Sequence, residues 1–366
     1  MIPKILIIVS TGKLGSKLLK FSFKNNIKID AICCFNNKKK LFMQSRNYKI
    51  SNKFVLSDLK SKDQLFKYIK SKNIDIVYFL DFGSYSIKYL SHFLNYQSNS
   101  LIAVANKELI IAGGKILMSY ISKKKCTFIP LDSEHYSLLN SNFTNSNVEK
   151  IFITASGGPF YFNKKVNLNS VKLSSVLNHP KWKMGINNLI DSSNFINKVL
   201  EIFELCFIYN IDIKKVDFLI SKEAFVHSVI KYKDGMTQLN CFNNDMIITL
   251  IKPLQYFYNL DLNLKTNKLF KVENFKIERF LDSRFPIKKH ITFLKKLNHT
   301  QIIQFMALNN LAQTLYLSNN LSYNSIIDFI VHKIKKINDN ANLNNLDKVL
   351  HYINELNSML KKEYNV

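Results

Sequence analysis

A chain of 366 residues, 47% of them hydrophobic, has material for two or three domains and is not a disordered polypeptide. No apolar run approaches the roughly 18–20 residues that span a bilayer, and Met1-Ile2-Pro3-Lys4 leads straight into a strand-like Ile5–Val9, without a signal peptide. The net charge of +26 would suit a nucleic-acid binder, but the lysines run along the whole chain instead of forming one stripe, and no zinc-finger or ribonucleoprotein motif accompanies them. Asn and Ile are abundant too, which reads as a bias of the coding sequence. The expectation is a protein with no nucleic-acid and no membrane partner, whose positive field helps gather anionic substrates. Five scattered cysteines, odd in number and without metal-ligand spacing, fit free thiols in a reducing cytoplasm.

In chain order, Ile5–Val9, Ser10-Thr11-Gly12-Lys13-Leu14-Gly15-Ser16 and Lys17-Leu18-Leu19-Lys20 read as strand, tight turn and helix. Gly12 and Gly15 let backbone come close to a pyrophosphate at a helix N-terminus, although the G-x-G-x-x-G pattern lacks its first glycine. A second strand, Ile29–Cys34, ends in Phe35-Asn36-Asn37-Lys38-Lys39-Lys40. An acid near this point would hold ribose hydroxyls; amides and lysines suit a 2′-phosphate, and an exposed basic loop reads the same way. Ile74–Leu80 and Leu101–Ala105 are further buried strands, with Asn106-Lys107-Glu108 at the carboxyl end of the second. Ligands bind at such ends in open α/β sheets, and a helix N-terminus with Glu108 on its dipole is the plainer alternative.

Thr127-Phe128-Ile129 leads into Pro130-Leu131-Asp132-Ser133-Glu134-His135. Acids at alternate positions of an extended segment face one way, and two hard oxygen ligands suit Mg²⁺ or Mn²⁺ rather than zinc. The alternative is a strand end with Asp132 or Ser133 capping the helix that follows. Ile151–Thr154 is a strand running into Ala155-Ser156-Gly157-Gly158-Pro159, a serine and two glycines whose exposed amides make a phosphate cradle. His179-Pro180-Lys181-Trp182-Lys183-Met184-Gly185 holds the one tryptophan of the chain between lysines, as a lid over a ligand would. Asp191-Ser192-Ser193 is expected to cap a helix running to about Cys206, with Asn197, Glu201 and Glu204 on one face among apolar neighbours. Buried carboxylates and amides need partners, which a metal at Glu201 and a phosphate at Ser192, Asn197 and Lys198 would supply. Phe218–Tyr232 and Met236–Cys241 read as two antiparallel strands about Asp234-Gly235, and His227 in the first of them reads as structural. Asn244-Asp245-Met246 begins a further helix. An irregular connector follows, and apolar spacing from Ile287 onward indicates a helical bundle.

Pro130–His135, Thr154–Phe160, His179–Gly185, Asp191-Ser192-Ser193, Asn197-Lys198 with Glu201, and Ala105–Glu108 together resemble 1-deoxy-D-xylulose 5-phosphate reductoisomerase, in that family's order, from Ile5 to about Asp245. The resemblance implies an α/β fold with an N-terminal Rossmann-like NADPH domain (1–130) and a central catalytic domain with metal, substrate and a dimerisation sheet (131–258). A connector (259–286) and a C-terminal helical domain (287–366) complete it. It implies NADPH and Mg²⁺ or Mn²⁺ as cofactors, a homodimer, and conversion of 1-deoxy-D-xylulose 5-phosphate to 2-C-methyl-D-erythritol 4-phosphate. It also implies roles for individual residues. Thr11, Gly12, Lys13, Leu14, Asn37, Asn106, Glu108, Met184 and Gly185 would contact the cofactor, and Asp132, Glu134 and Glu201 would hold the metal. Lys107, Glu134 and His179 would do the chemistry, and Ser133, Ser156, Trp182, Ser192, Asn197 and Lys198 would bind substrate with them. Departures from the family pattern are Val9 for its first glycine, Phe35 in its Gly-Lys-Asn, Ile186-Asn187 for its Arg-Lys and Ala312-Gln313 for its Asn-Glu. Two readings of other classes stand beside it. One is an NADP-dependent sugar-phosphate dehydrogenase without rearrangement, which needs no metal; the other is a basic binding protein that has lost catalysis.

Overall fold

A computed structural model describes residues 2–178, 185–260, 274–337 and 341–365. Strands and helices alternate strictly through the first third of the chain: β1 (Ile5–Ile8), α1 (Lys13–Lys24), β2 (Ala31–Cys34), α2 (Lys38–Asn47), β3 (Asn52–Val55), α3 (Leu59–Ser71), β4 (Ile76–Phe79), α4 (Ser86–Tyr96), β5 (Leu101–Val104), α5 (Lys107–Lys123), β6 (Thr127–Pro130) and α6 (Ser133–Ser137). Four-residue apolar strands such as Ile5-Leu6-Ile7-Ile8 are buried along their whole length, as strands covered on both faces must be. They form a six-stranded sheet of order β3-β2-β1-β4-β5-β6 in which each pairing is parallel. The order reverses between β1 and β4, which opens the crevice where such sheets bind ligands.

Next come β7 (Val148–Ala155), α7 (Leu173–Val176), α8 (Ile186–Asn194), α9 (Ile196–Tyr209), β8 (Val216–Ile220), β9 (Val226–Tyr232) and β10 (Thr237–Cys241). They are followed by α10 (Ile247–Ile251), β11 (Glu278–Arg279), α11 (Ile287–Leu294), α12 (His299–Leu317), α13 (Ile326–Ile334) and α14 (Leu346–Tyr364). The second sheet runs β10-β9-β7-β8-β11; β7 and β8 are parallel and the other pairs antiparallel. The expected two strands from Phe218 to Cys241 are therefore three. The chain breaks between β8 and β9, where Ala224 takes a positive φ of 53°, and β9 and β10 form the hairpin about Asp234-Gly235.

The protein divides into two compact units. One holds the chain up to Leu109, Ile116–Leu139 and a segment beginning at Asp245; the other holds Ile110–Lys115, Asn140–Asn244 and the C-terminal segment. In the first, Ile5, Ile7, Ile32, Tyr78 and Ala103 pack with Ile247 and Leu250 of the returning α10 and with Leu254 just after it, and Tyr78 Oη donates to the Leu250 carbonyl at 2.9 Å. In the second, α12 carries buried residues on every side, from Ile303 and Phe305 to Ala312 and Gln313, and is the core helix of the C-terminal bundle. No described helix is long and apolar enough to cross a membrane. The five cysteines are free thiols, with Cys33 and Cys34 buried.

Candidate functional site

In the first unit, the turn after β1 is built for close approach of backbone. Val9 sits at φ 61°, where a β-branched residue is strained by about 1–3 kcal/mol. Gly15 is packed so tightly that a Cβ there would lie 2.3 Å from the Ser10 carbonyl oxygen. Gly12 is the N-cap of α1 and brings no side chain to that helix terminus, whose first amides have no partner within the helix. Thr11 and Leu14 are half-buried and Lys13 is exposed around it. At the end of β2, Asn37 caps α2, its Oδ1 accepting from Lys40 N at 3.1 Å. No acid occurs from Phe35 to Lys40, so no carboxylate competes with an anion there.

At the end of β5, Asn106 is buried and tied both ways. Its Oδ1 accepts from Leu109 N at 2.9 Å, and its Nδ2 donates to the Gly83 carbonyl at 3.0 Å. Beside it, burial pushes the Asp81 carboxyl up to about 7 against the hydrogen bonds from Ser86 and Asn106 that lower it. Lys107 opens α5 and its Nζ reaches Asp132 Oδ2 at 2.6 Å. Glu108 shares that first turn, as the helix N-terminus reading of this segment expects.

Of the two readings of Asp132 and Glu134, the extended segment does not hold and the capping one does: β6 ends at Pro130 and Asp132 is the N-cap of the short α6. Asp132 Oδ1 accepts from Glu134 N at 3.2 Å, and Ser133 Oγ donates to Glu134 Oε2. The two acids still converge, because a cap residue and the second helical residue can turn to the same side. One carboxylate oxygen of each lies within 4.8 Å of the other, close enough to share a cation.

In the second unit, β7 ends at Ala155 and Ser156 leads into Gly157 and Gly158, at φ 88° and 59°. A Cβ on Gly158 would lie 3.1 Å from the Ser192 carbonyl oxygen, so the glycine loop and the Ser192 segment are neighbours. Asp191-Ser192-Ser193 does not cap the long helix. The three residues close α8, Phe195 turns left-handed at φ 68°, and α9 starts at Ile196. Asp191 is buried and anchored: Asn309 Nδ2 donates to its Oδ2 at 2.9 Å and Gln313 Nε2 to its Oδ1 at 2.5 Å. Tyr323 Oη donates to Ser193 Oγ at 3.1 Å. Sequence reasoning assigned nothing to Asn309 or Gln313; the signal was two amides one helical turn apart within an apolar helix.

On α9, Lys198 and Glu201 are buried, and Lys198 Nζ lies 2.6 Å from Glu201 Oε2. Asn197 Nδ2 donates to Glu201 Oε1, so one carboxylate gathers the amide and the ammonium beside it. Glu204 is buried on the same face. His227 is structural as expected: its ring stacks on Phe242 at 3.9 Å and bonds the Phe242 carbonyl at 3.1 Å. His179, Trp182 and Met184 lie outside the described residues; Gly185 is the N-cap of α8.

A parallel sheet of this order with a glycine turn after its first strand defines a dinucleotide-binding α/β protein, here with a second unit built on its own five-stranded sheet. A family model described as the 1-deoxy-D-xylulose 5-phosphate reductoisomerase C-terminal domain matches residues 128–209. The 1-deoxy-D-xylulose 5-phosphate reductoisomerase of Pelagibacter ubique is 30% identical over 353 residues, covering 90% of each chain. That of Thermoanaerobacter pseudethanolicus is 28% identical over 99% of each. The chain belongs to the 1-deoxy-D-xylulose 5-phosphate reductoisomerase family. Its fold matches a crystal structure of DOX-P reductoisomerase in complex with NADPH, fosmidomycin and magnesium, with a TM-score of 0.85 at 20% identity over 98% of each chain. The Zymomonas mobilis enzyme in complex with NADPH gives 0.84 at 19% identity, again over 98% of each.

Proposed function

We propose that this chain is an NADPH- and divalent-metal-dependent reductoisomerase. It converts 1-deoxy-D-xylulose 5-phosphate, NADPH and a proton to 2-C-methyl-D-erythritol 4-phosphate and NADP⁺, the step after which isoprenoid precursors are built. The observation that carries this reading is the meeting of Lys107, Asp132 and Glu134 at the carboxyl ends of β5 and β6 in a dinucleotide-binding sheet. A simple dehydrogenase without rearrangement would need no such carboxylate set, so metal dependence separates the two readings.

Asp132, Glu134 and Glu201 would hold Mg²⁺ or Mn²⁺; three carboxylates are the donor set hard cations take. The bound cation supplies Lewis-acid polarisation of the hydroxyketone, and NADPH supplies the hydride that reduces the aldehyde left by rearrangement. The residues do the rest. Lys107, within reach of a carboxylate oxygen, holds or moves the proton of the substrate hydroxyl, with Glu134 and His179 as the other proton-handling groups. Ser156, Ser192, Asn197 and Lys198 fix the phosphate, so that the carbons that separate and rejoin stay in register. Trp182 and His179 close over the substrate from the 179–185 loop, with Met184 and Gly185 toward the nicotinamide. Thr11, Gly12, Lys13, Leu14, Asn37, Asn106 and Glu108 hold the cofactor. In domain terms, 1–130 serves NADPH and 131–258 serves metal, substrate and a homodimer contact through its sheet; 259–286 connects to the helical domain 287–366. The enzyme works in the cytoplasm.

The test is loss of NADPH absorbance with 1-deoxy-D-xylulose 5-phosphate, with Mg²⁺ or Mn²⁺ and with a chelator, and mass and NMR identification of the product. Metal-dependent formation of the branched polyol phosphate is expected. NADPH consumption indifferent to chelator, with an unbranched product, would leave the dehydrogenase reading standing, and no consumption with folded protein would sink both.

A further inference from the structure

Gln44 lies on α2, away from the nucleotide turn in sequence, yet it is buried and its amide is spent on that turn. Its Oε1 accepts from Ser10 Oγ at 2.7 Å, and its Nε2 donates to the Ser10 carbonyl at 3.0 Å and to Ser16 Oγ at 3.2 Å. Ser16 Oγ in turn donates to the Gly12 carbonyl at 2.8 Å. One side chain thus grips both ends of the segment from Ser10 to Ser16 and, through Ser16, its middle. Packing alone would be served by a methionine; a buried amide is retained where its hydrogen bonds do something.

Val9 supplies the reason. It holds a left-handed φ of 61° immediately before the gripped segment. A valine left to itself leaves that region, whereas glycine would rest there without cost. The turn therefore needs an outside restraint, and the contact of Gly15 with Ser10 shows how little room it has to shift.

We infer that Gln44 is a positioning residue for the cofactor's pyrophosphate: it clamps the Ser10–Ser16 turn in the geometry that Val9 disfavours. Through α2 it also ties that turn to Asn37, the cap at the ribose-phosphate end of the same cofactor. The inference rests on the NADPH reading above.

The experiment measures NADPH binding and both Michaelis constants for Gln44→Met, Val9→Gly, their double variant and wild type. Gln44→Met keeps volume and removes the three bonds. It should weaken NADPH binding about tenfold, the scale set by the net contribution of such hydrogen bonds, and raise KM for NADPH but not for 1-deoxy-D-xylulose 5-phosphate. Adding Val9→Gly should recover at least about threefold, because the turn then keeps its shape unclamped. Should Gln44→Met fail to fold, Ser16→Ala cuts the same clamp at the half-exposed Ser16 and should raise KM for NADPH by a few-fold. Unchanged NADPH binding in a folded variant, equal shifts in both Michaelis constants, or no recovery in the double variant overturns the inference. Failure of wild type to bind NADPH overturns the functional reading instead.

Discussion

Two lysine–carboxylate pairs of the same length sit in different surroundings. Lys107 and Asp132 meet at 2.6 Å with 15% and 18% of their side chains exposed; Lys198 and Glu201 meet at 2.6 Å with 9% and 2% exposed. The first pair joins two strand ends across the sheet; the second lies three residues apart on one helix. Lys107 also occupies the first position of α5, where the helix dipole disfavours a cation. A residue that breaks a local stability rule is a candidate for function, and a water-reachable ammonium can change partners at low cost. The Lys198–Glu201 pair has no such freedom. Two charges taken out of water hold each other in place, and removing one strands the other. The first pair suits a group that takes part in proton movement, and the second a fixed anchor.

The sharpest way to break this contrast is at the buried pair. Glu201→Ala should remove activity by about 10³-fold or more, as loss of a metal carboxylate with its transition-state charge stabilisation implies. It should also lower stability by about 3–5 kcal/mol, because Lys198 stays buried without its carboxylate. Lys198→Met with Glu201→Met should return most of that stability and none of the activity. Thermal melts and NADPH turnover on the three proteins check it; a single variant that melts like wild type would falsify the anchor reading.

Lys107→Ala tests the other side. Turnover should drop about 10²–10⁴-fold, the range for a proton-handling group, while stability changes by less than about 1 kcal/mol, as for a partly exposed pair. Substrate titrations with a melt on the same sample read both. If Lys107→Ala costs more stability than Glu201→Ala, the two pairs have been assigned the wrong way round.

What the sequence made legible follows the same division. The strands of the first sheet announce themselves as short apolar runs, and the Asn197–Glu201–Glu204 face is visible because 3.6-residue spacing is local. The Lys107–Asp132 contact was placed by two strand ends, not by spacing. Three features had little or no local signal. The break at Phe195 carries neither glycine nor proline; Phe195 is left-handed with its ring packed on Phe280 at 4.6 Å and Phe285 at 4.8 Å, contacts distant in sequence, and Asp191-Ser192-Ser193 ends one helix instead of starting the next. Helix α6 is five residues long, too short for periodicity, and only the capping reading of Asp132 or Ser133 pointed to it. The grip of Asn309 and Gln313 on Asp191 spans well over a hundred residues, and amides on a core helix do not name their partner.

Asp81 extends the comparison to a buried carboxylate whose neighbours are a hydroxyl and an amide in place of a lysine. Burial raises its pKa from 3.8 to about 7, so the folded protein holds a proton there that the unfolded chain releases near 3.8. The stability linked to that proton is complete below about pH 4, is lost steadily as pH rises toward 7, and stays lost above it. Asp81→Asn keeps the shape and removes the titration. Its melting temperature should exceed that of wild type by an amount that grows between pH 4 and pH 7 and then levels, reaching a few degrees. Turnover at neutral pH should change less than for either lysine pair, since the amide oxygen of the substituted side chain can still accept from Ser86. Parallel melts of the two proteins across this range decide the matter: a difference that is flat with pH means the Asp81 carboxyl titrates in the fold as it does in water, and one that shrinks as pH rises means the fold lowers its pKa; either overturns the prediction.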